Sequence, residues 1–238
     1  MTSRAIISII IPVFNEAGLI LATIQELQAN SNVEIIVVDG GSTDKTRDIV
    51  QQWATKNPKI RLKLAVCNRL GRANQMNQGA AIAESEILLF LHADTKLPPN
   101  YPQLISETLA QPQIIAGAFE LAIDSPKKSL RLIETLVNWR SRFLSLPYGD
   151  QALFLKQKTF QAIGGFADLP IMEDFELVKR LNRYGKIRMI SAKVITSSRR
   201  WDKLGILKTT LINQLIIVGY YLGFSPIKLN NFYRRAKR

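Results

Sequence analysis

The chain has 238 residues, a formal net charge of +13 and a hydrophobic fraction of 47%. This length fits one large domain or two small ones with a sizeable core. The positive charge favours anionic partners, namely nucleic acid, an anionic membrane surface or phosphorylated substrates. The single cysteine, Cys67, excludes an internal disulfide and a cysteine-based metal cluster, which is typical of a reducing compartment.

The N-terminal apolar run is shorter than the hydrophobic region of a secretory signal, and Pro12 interrupts it. We therefore expect a first strand there, followed by alternating strands and helices. Unbroken apolar runs such as 34–39 and 87–91 predict strands buried on both faces. The predicted strands of the first half are 5–13, 34–39, 60–66, 87–91 and 116–123, and the predicted helices are 19–29, 44–56, 73–83 and 101–110. This order predicts an α/β fold with a mostly parallel central sheet and helices on both faces.

Acidic residues follow three of these strands, where open α/β sheets bind their ligands. They are Glu16, Asp39 and Asp94. No strand is followed by a Gly-rich phosphate loop of the Walker or dinucleotide-binding type. A phosphate would therefore be held by a metal or by cations such as Arg69 and Arg72, for which a solvated basic loop is the alternative.

The second half begins with an amphipathic segment. Its predicted helices are 130–146, 159–163 and 172–184, and its predicted strands are 151–155 and 187–196. Asp150 lies at the predicted start of strand 151–155.

The segment 204–224 is apolar but contains Lys208, Asn213 and Gln214, so it falls short of the ~20 clean residues of a spanning helix. From residue 199 to the end there are nine Lys and Arg residues against one acid. This composition suits a helix that lies in an anionic membrane interface. Packing on the domain or in a dimer contact, and a true span, are the alternatives.

Four motifs stand in order along the chain: I-I-P-V-F-N-E (10–16), V-V-D-G-G-S-T-D (37–44), L-F-L-H-A-D-T (89–95) and M-E-D-F-E-L (172–177). Over residues 6 to about 201, this series resembles the family-2 glycosyltransferases, which have the GT-A fold. The segments 164–166 and 199–201 add to this resemblance. More narrowly, the segments 71–80, 91–95 and 197–201 resemble a short bacterial branch of single-domain members that is linked to arsenosugar and carotenoid glycosylation.

The resemblance implies one GT-A catalytic domain over 1–203, with a donor half (about 5–123) and an acceptor half (about 124–203), and then a helical tail (204–238). It implies an inverting, non-processive transfer from a nucleotide-diphospho-sugar, with a UDP-sugar as the first choice, to a hydroxyl of a small or lipid-like acceptor. The implied donor-binding residues are Pro12, Glu16, Asp39, Gly41, Asp44, Arg69, Arg72, Asn77, Asp94 and Arg200.

Asp39 matches the family carboxylate that binds the nucleotide base, and a turn or capping role is its alternative. Asp94 matches the second acid of the family's Asp-X-Asp site, which implies a divalent cofactor, Mn²⁺ or Mg²⁺, that stabilises the leaving diphosphate. His92 stands where the family has the first acid. Three roles stay open for it: a metal ligand, a hydrogen-bond donor to phosphate, or a packing residue at the strand end.

Asp174 matches the family's catalytic base, which takes the proton of the acceptor hydroxyl, with Glu173 beside it. A capping carboxylate pair is the alternative. Asp150 and Trp201 are assigned to the acceptor site. Ser197 stands where the synthases have Gln or Arg, and no multi-helix membrane domain follows, so we expect no processive synthesis.

Two other functions compete with glycosyl transfer. A nucleotide-sugar-binding protein without chemistry is supported by His92 alone. A nucleotidyltransferase would need a Gly-rich basic loop after strand one, which the sequence lacks there. No nucleic-acid-binding motif is present. The expected partners are the sugar donor, the acceptor, an anionic membrane surface bound by the tail and, as an open alternative, a second copy. The expected location is cytoplasmic, at the inner face of the cell membrane.

Overall fold

The computed structural model describes residues 6–28, 32–67 and 69–236. Residues 5, 29, 237 and 238, which belong to the predicted first strand, first helix and basic tail, lie outside the described residues. The strands are β1 (Ile7–Val13), β2 (Val33–Asp39), β3 (Leu62–Val66), β4 (Ile87–Phe90), β5 (Thr95–Lys96), β6 (Ile114–Asp124), β7 (Phe154–Lys156) and β8 (Lys186–Ser197). The helices are α1 (Ile20–Leu27), α2 (Thr46–Lys56), α3 (Arg72–Ala81), α4 (Tyr101–Leu109), α5 (Lys128–Leu144), α6 (Gln157–Ala162), α7 (Glu173–Tyr184), α8 (Arg199–Leu204), α9 (Ile206–Tyr221) and α10 (Pro226–Ala236).

The described strands form one sheet in the order β3-β2-β1-β4-β7-β6-β8-β5. β1 pairs in parallel with β2, and the register places Val13 opposite Asp39. β4 pairs in parallel with the other side of β1, with Ile10 opposite Phe90. The carboxyl ends of β2, β1 and β4 therefore meet at one edge of the sheet, which brings the three loops that carry Asp39, Glu16 and Asp94 together.

The core lies on both faces of this sheet because successive side chains of a strand point to opposite faces. Ile9 and Ile11 of β1 belong to one buried apolar cluster, whereas Ile10 belongs to a second cluster. Both sides of β1 and β2 are thus covered, which explains why these strands read as unbroken apolar runs. The predicted α/β fold with helices on both faces is confirmed.

The second half inserts antiparallel pairings into the sheet. β7 pairs antiparallel with both β4 and β6, while β6 and β8 pair in parallel. The predicted strand 151–155 is wrong in its first part, because Gly149–Gln151 form a 3₁₀ helix and the strand begins at Phe154. Asp150 consequently lies in a helical turn beside the sheet edge, not at a strand start.

The tail helices pack on the rest of the protein through a third apolar cluster. Ile212 and Ile216 of α9 and Leu229 of α10 contact Phe175 and Met172 at the start of α7. Full burial of such a side chain is worth roughly 1.5–3 kcal/mol, so the tail is anchored firmly. Among the helices of the described ranges, none has the length and apolar character that crossing a bilayer requires.

Candidate active site

A pocket of ≈ 420 Å³ opens at the carboxyl edge of the sheet, between the strand ends and the tail helices. Its lining includes Asp94, Asp150 and Asp174 together with His92 and Arg72. Residues from the loop after β4, the first turn of α7 and the 3₁₀ helix thus meet in one cavity. Together with Glu173, which also lines it, four of the predicted site acids therefore lie around the same space.

Asp174 is fixed at the pocket wall by short contacts. Its Oδ2 atom accepts a hydrogen bond of 2.7 Å from the backbone N–H of Gly149 and lies 3.4 Å from Nη2 of Arg72. Its Oδ1 atom accepts from the N–H of Phe175 at 2.8 Å. Met172, which directly precedes Glu173 and Asp174, has a φ of 68°. This left-handed backbone conformation is strained for a residue other than glycine, and such strain clusters at functional sites.

Gly149 is a site residue that the sequence analysis did not identify. A Cβ atom at this position would lie 2.8 Å from Oδ2 of Asp174 and 3.4 Å from Nε2 of His92. Only a residue without a side chain allows the carboxylate to reach this backbone N–H. A glycine directly before an assigned acid, Asp150, was the one available signal.

Arg72 joins His92 to the acidic pair. Its guanidinium contacts Oε1 of Glu173 at 2.5 Å and Nε2 of His92 at 2.9 Å. Because arginine has no acceptor, Nε2 of His92 accepts this hydrogen bond and the ring proton is on Nδ1. Burial and the neighbouring Arg72 charge lower the pKa of His92 to about 4, so the ring is neutral at pH 7. Burial raises the pKa of Glu173.

Asp94 and Glu16 share one cation, Arg199. Nη2 of Arg199 lies 3.2 Å from Oδ2 of Asp94 and 3.2 Å from Oε2 of Glu16. Partial burial raises the pKa of Glu16 against the opposing attraction of Arg199. Arg199, the first residue of α8, was not among the predicted site residues.

The described residues offer few side chains that could bind a metal ion. Across the described ranges, no group of three or more His, Cys, Asp or Glu side chains is arranged to hold an ion. Asp94 and Glu16 offer carboxylate oxygens, which Mn²⁺ and Mg²⁺ prefer. The residues fit an ion that takes one or two ligands from the protein and the rest from phosphate oxygens and water.

Asp39 lies fully buried at the end of β2 and holds the following turn. Its carboxylate accepts hydrogen bonds from the N–H groups of Gly41 at 2.9 Å and Ser42 at 3.0 Å. Gly41 has a φ of 93°, which favours glycine. Asp44 accepts from the N–H of Thr46 and from the N–H of Ala17, and it thereby links this turn to the loop after β1.

Two amides that sequence reasoning missed join the same loops. Asn15 has a φ of 56°, and its Oδ1 atom accepts from the N–H of Thr43 at 2.8 Å. Gln75 donates from its buried Nε2 atom to the carbonyls of Val13 and Val38, both at 2.8 Å. The asparagine within an otherwise apolar strand end was the signal for the first, whereas Gln75 had none.

The other predicted donor residues have varied positions. Arg69 is exposed and pairs with Asp168 at 2.9 Å, outside the pocket. Asn77 also lies outside it, and both ends of its amide bind the backbone of Phe166. Pro12 lines a smaller cavity together with Arg72 and His92.

The pocket lining also contains Asp150 and Trp201, the two residues predicted for the acceptor, together with Arg200. Oδ1 of Asp150 is buried and has no hydrogen-bond partner among the described residues. Burial raises the pKa of this carboxyl, against the attraction of Arg140. Arg200 donates to Oδ1 of Asn213 on α9 at 2.6 Å. The tail thereby contributes to the pocket, which the sequence analysis did not anticipate.

Known proteins share this architecture. The mannosyltransferase PcManGT from Pyrobaculum calidifontis, solved in complex with GDP-Man and Mn²⁺, superposes with a TM-score of 0.70 at 21% identity, over 99% of this chain and 70% of that one. Validoxylamine A glucosyltransferase of Streptomyces hygroscopicus subsp. jinggangensis (strain 5008) is 32% identical over 113 residues, which are 45% of this chain and 26% of that protein. The succinoglycan biosynthesis protein ExoA of Rhizobium meliloti (strain 1021) is 28% identical over 203 residues, 74% of this chain and 58% of that protein.

The structural likeness confirms the GT-A fold. A sequence model of glycosyl transferase family 2 matches residues 8–167. The chain belongs to glycosyl transferase family 2. It spans only 26% and 58% of the lengths of the two curated relatives.

Proposed function

We propose that the protein is an inverting glycosyltransferase that moves a sugar from a nucleotide-diphospho-sugar, a UDP-sugar first among the candidates, to a hydroxyl of a small or lipid-like acceptor. The observation that carries this proposal is the placement of Asp174. Its carboxylate lines the same pocket as Asp94 and is held by Gly149 and Arg72. A single displacement needs one base on the acceptor side and one charge-stabilising group on the diphosphate side.

Asp174 acts as the general base in this proposal. It accepts the proton of the acceptor hydroxyl while the oxygen attacks C1 of the donor sugar and the diphosphate leaves from the opposite face. The N–H of Gly149 orients the carboxylate, and Arg72 balances the charge of the pair that Asp174 forms with Glu173. The reaction is proposed to be non-processive, because Ser197 stands where the processive synthases have Gln or Arg.

Asp94 would hold the divalent ion, Mn²⁺ or Mg²⁺, and Glu16 lies close enough to assist. When bound, such an ion supplies Lewis-acid stabilisation of the departing diphosphate. Arg199 contacts the same carboxylates and must give up these contacts when the ion binds. Arg200, which lines the pocket, is proposed as a further diphosphate contact.

On the donor side, Asp39 and the turn that it orders are proposed to bind the nucleotide. The carboxylate suits the imide N–H of uracil, because ionised Asp is an acceptor only. Since Asp39 is fully buried and accepts from Gly41 and Ser42 here, this contact requires the turn to open toward the base. Gly41 and Asp44 shape the surface of the turn. Arg69, Asn77 and Pro12 are kept as weaker donor-binding candidates.

On the acceptor side, Asp150 and Trp201 are proposed to contact the acceptor. The buried, unpartnered Oδ1 atom of Asp150 can accept a hydrogen bond from a second acceptor hydroxyl. The pocket wall toward α9 carries Ile216 and Ile217, which favours an acceptor with an apolar part.

The tail is proposed to hold the protein on an anionic membrane at the cytoplasmic face. Leu207, Leu211 and Leu215 lie on the exposed side of α9, and no acid occurs after Asp202. An apolar helix face with cations around it binds anionic interfaces. A homodimer through the same face is the competing arrangement.

A panel of nucleotide sugars in a Mn²⁺-dependent thermal-shift assay tests the function class and the donor together. We expect one nucleotide sugar to raise the melting temperature in the presence of Mn²⁺. Asp174→Asn should then abolish transfer and leave this shift intact, because the base acts only in the transition state. Loss of the shift in Asp174→Asn would contradict the base assignment, and a shift without any transfer by the wild type would favour a binding protein without chemistry.

A further inference from the structure

α5 presents a row of large apolar side chains to solvent. Leu132, Leu136, Trp139 and Phe143 are each more than half exposed. Their spacing of four, three and four residues places them on one face of the helix. The rings of Trp139 and Phe143 contact each other at 5.3 Å. Single exposed hydrophobic residues are normal, but a contiguous row marks an interaction site.

The opposite face of α5 is already used by the fold. Leu130 is fully buried, and Ile133 and Val137 pack on the core cluster. Glu134 is buried and accepts a hydrogen bond from the N–H of Ile123. The helix is therefore apolar on two sides, and the fold covers one of them. A helix that is apolar on both sides is normally buried on both.

The exposed charged side chains of α5 are all cationic: Lys128, Arg131 and Arg142. Arg131 pairs with Glu134 and Arg142 pairs with Glu120, but both acids are buried beneath the helix, so the charge that α5 presents to solvent is positive. An apolar face bordered by cations, with an aromatic pair at one end, has the composition of a helix that lies in an anionic bilayer interface.

α5 and α9 are connected at corresponding ends. At the start, Lys127 just before α5 contacts Asp202 of α8 at 2.6 Å, and α8 leads directly into α9. At the other end, Arg140 stacks 3.5 Å above the Tyr148 ring. Tyr148 contacts Phe175, and Phe175 contacts Tyr220 near the end of α9. Ile216 of α9 lines the pocket directly, and α5 is joined to the pocket wall through the contact of Arg140 with the lining residue Tyr148.

We propose that the exposed apolar face of α5 binds an anionic lipid bilayer together with the exposed face of α9, so that the protein contacts the membrane at two places beside the acceptor pocket. This inference rests on the membrane association of the tail proposed above and extends it to a helix in the middle of the chain. A second copy of the chain is a poorer occupant, because the exposed charged side chains of α5 are all cationic and two such faces repel each other, whereas anionic lipids attract them.

The test measures sedimentation with vesicles of phosphatidylglycerol and phosphatidylcholine, and with vesicles of phosphatidylcholine alone. The wild type should bind the first and bind the second at least tenfold more weakly. Leu136→Gln with Trp139→Gln should weaken binding to the anionic vesicles by about tenfold or more, since two large apolar side chains are lost from the contact. The pair Leu132→Gln with Phe143→Gln, on the same face, should give the same loss and serves if the first pair does not fold.

The matched control is Val66→Gln with Ile82→Gln. Both residues are exposed and apolar; Val66 ends β3, the strand at the opposite edge of the sheet, and Ile82 directly follows α3. It should bind vesicles as the wild type does. Leu211→Gln with Leu215→Gln on α9 separates the two contacts, and each variant should keep the nucleotide-sugar thermal shift.

Unchanged vesicle binding by both α5 pairs, with loss in the α9 pair, would overturn the inference and leave the tail as the membrane contact. Unchanged binding in all the variants would overturn both the inference and the proposed tail association. Light scattering that shows a dimer, converted to a monomer by the α5 substitutions, would assign this face to a second copy instead.

Discussion

Nη1 of Arg72 donates to Nε2 of His92 across 2.9 Å, which commits the lone pair of that nitrogen. A metal ligand needs a free lone pair on the ring nitrogen that approaches the ion. As long as this contact persists, Nε2 of His92 orients Arg72 and is not available to a metal. The contact therefore favours a fourth role for His92, the positioning of Arg72, over the three roles that the sequence left open.

Replacement of His92 tests this role. In His92→Ala, Arg72 loses its hydrogen bond to the imidazole and is held less firmly beside Asp174. We therefore expect kcat to fall by up to about 10²-fold, with a smaller change in the KM for the donor. His92→Gln keeps an acceptor oxygen and should retain most of the activity. Mn²⁺ titration should give the same affinity for both variants as for the wild type. Equal kcat for the Ala and Gln variants, or lost Mn²⁺ binding in both, would contradict the positioning role.

Gly149→Ala should reduce kcat by about 10²-fold, because its Cβ would lie 2.8 Å from Oδ2 of Asp174 and displace this carboxylate, the proposed base. The nucleotide-sugar thermal shift should persist, since the donor-side loops are untouched. Gly18→Ala is the matched control, because its Cβ would meet no atom within 4 Å. Steady-state kinetics of both variants check the prediction, which fails if they are equally active.

Arg199→Gln should tighten Mn²⁺ binding by the ligand-free protein by about two- to fivefold, the range expected on removal of an exposed ion pair. In the proposed metal site, the guanidinium of Arg199 would compete with the ion for Asp94 and Glu16, which it contacts here. Electron paramagnetic resonance of free Mn²⁺ measures the affinity. Arg47→Gln removes the same charge beside Asp39 and should change the affinity less.

Asp94→Ala should abolish the Mn²⁺ dependence of donor binding; an unchanged titration would refute its role as a ligand.

Asp150→Asn should raise the melting temperature at pH 7.5 more than at pH 4. Burial raises the pKa of this carboxyl above its ordinary value of 3.8, so the folded state holds the proton more tightly than the unfolded state. Its contribution to stability is present below pH 3.8 and is lost as the pH rises through the folded pKa. Circular-dichroism melting at the two pH values measures the difference, with the exposed Asp124→Asn as control. An equal shift at both pH values would show that the carboxyl is not perturbed in this way.

The sequence predicted the first half of the fold well, because its signals are local. The runs 34–39 and 87–91 are buried strands, and the helices between the strands begin and end within a few residues of the predicted positions. Glu16, Asp39 and Asp94 all follow strands of a parallel sheet, so their meeting at one edge followed from the alternation of strands and helices. The order of the four motifs also sufficed to indicate the family.

The sequence alone determined the composition of the site. It contains a carboxylate after each of three strands, an acidic pair in the first turn of a helix, and a basic tail without acids. The tertiary structure decided how these groups pair. Arg72 and Glu173 are 101 residues apart, and β7, inserted antiparallel between β4 and β6, brings Gly149 against Asp174. α9 and α10 form one wall of the pocket because they pack against Met172 and Phe175. Contacts of this kind depend on the packing of distant segments in three dimensions, which local periodicity and propensity do not encode.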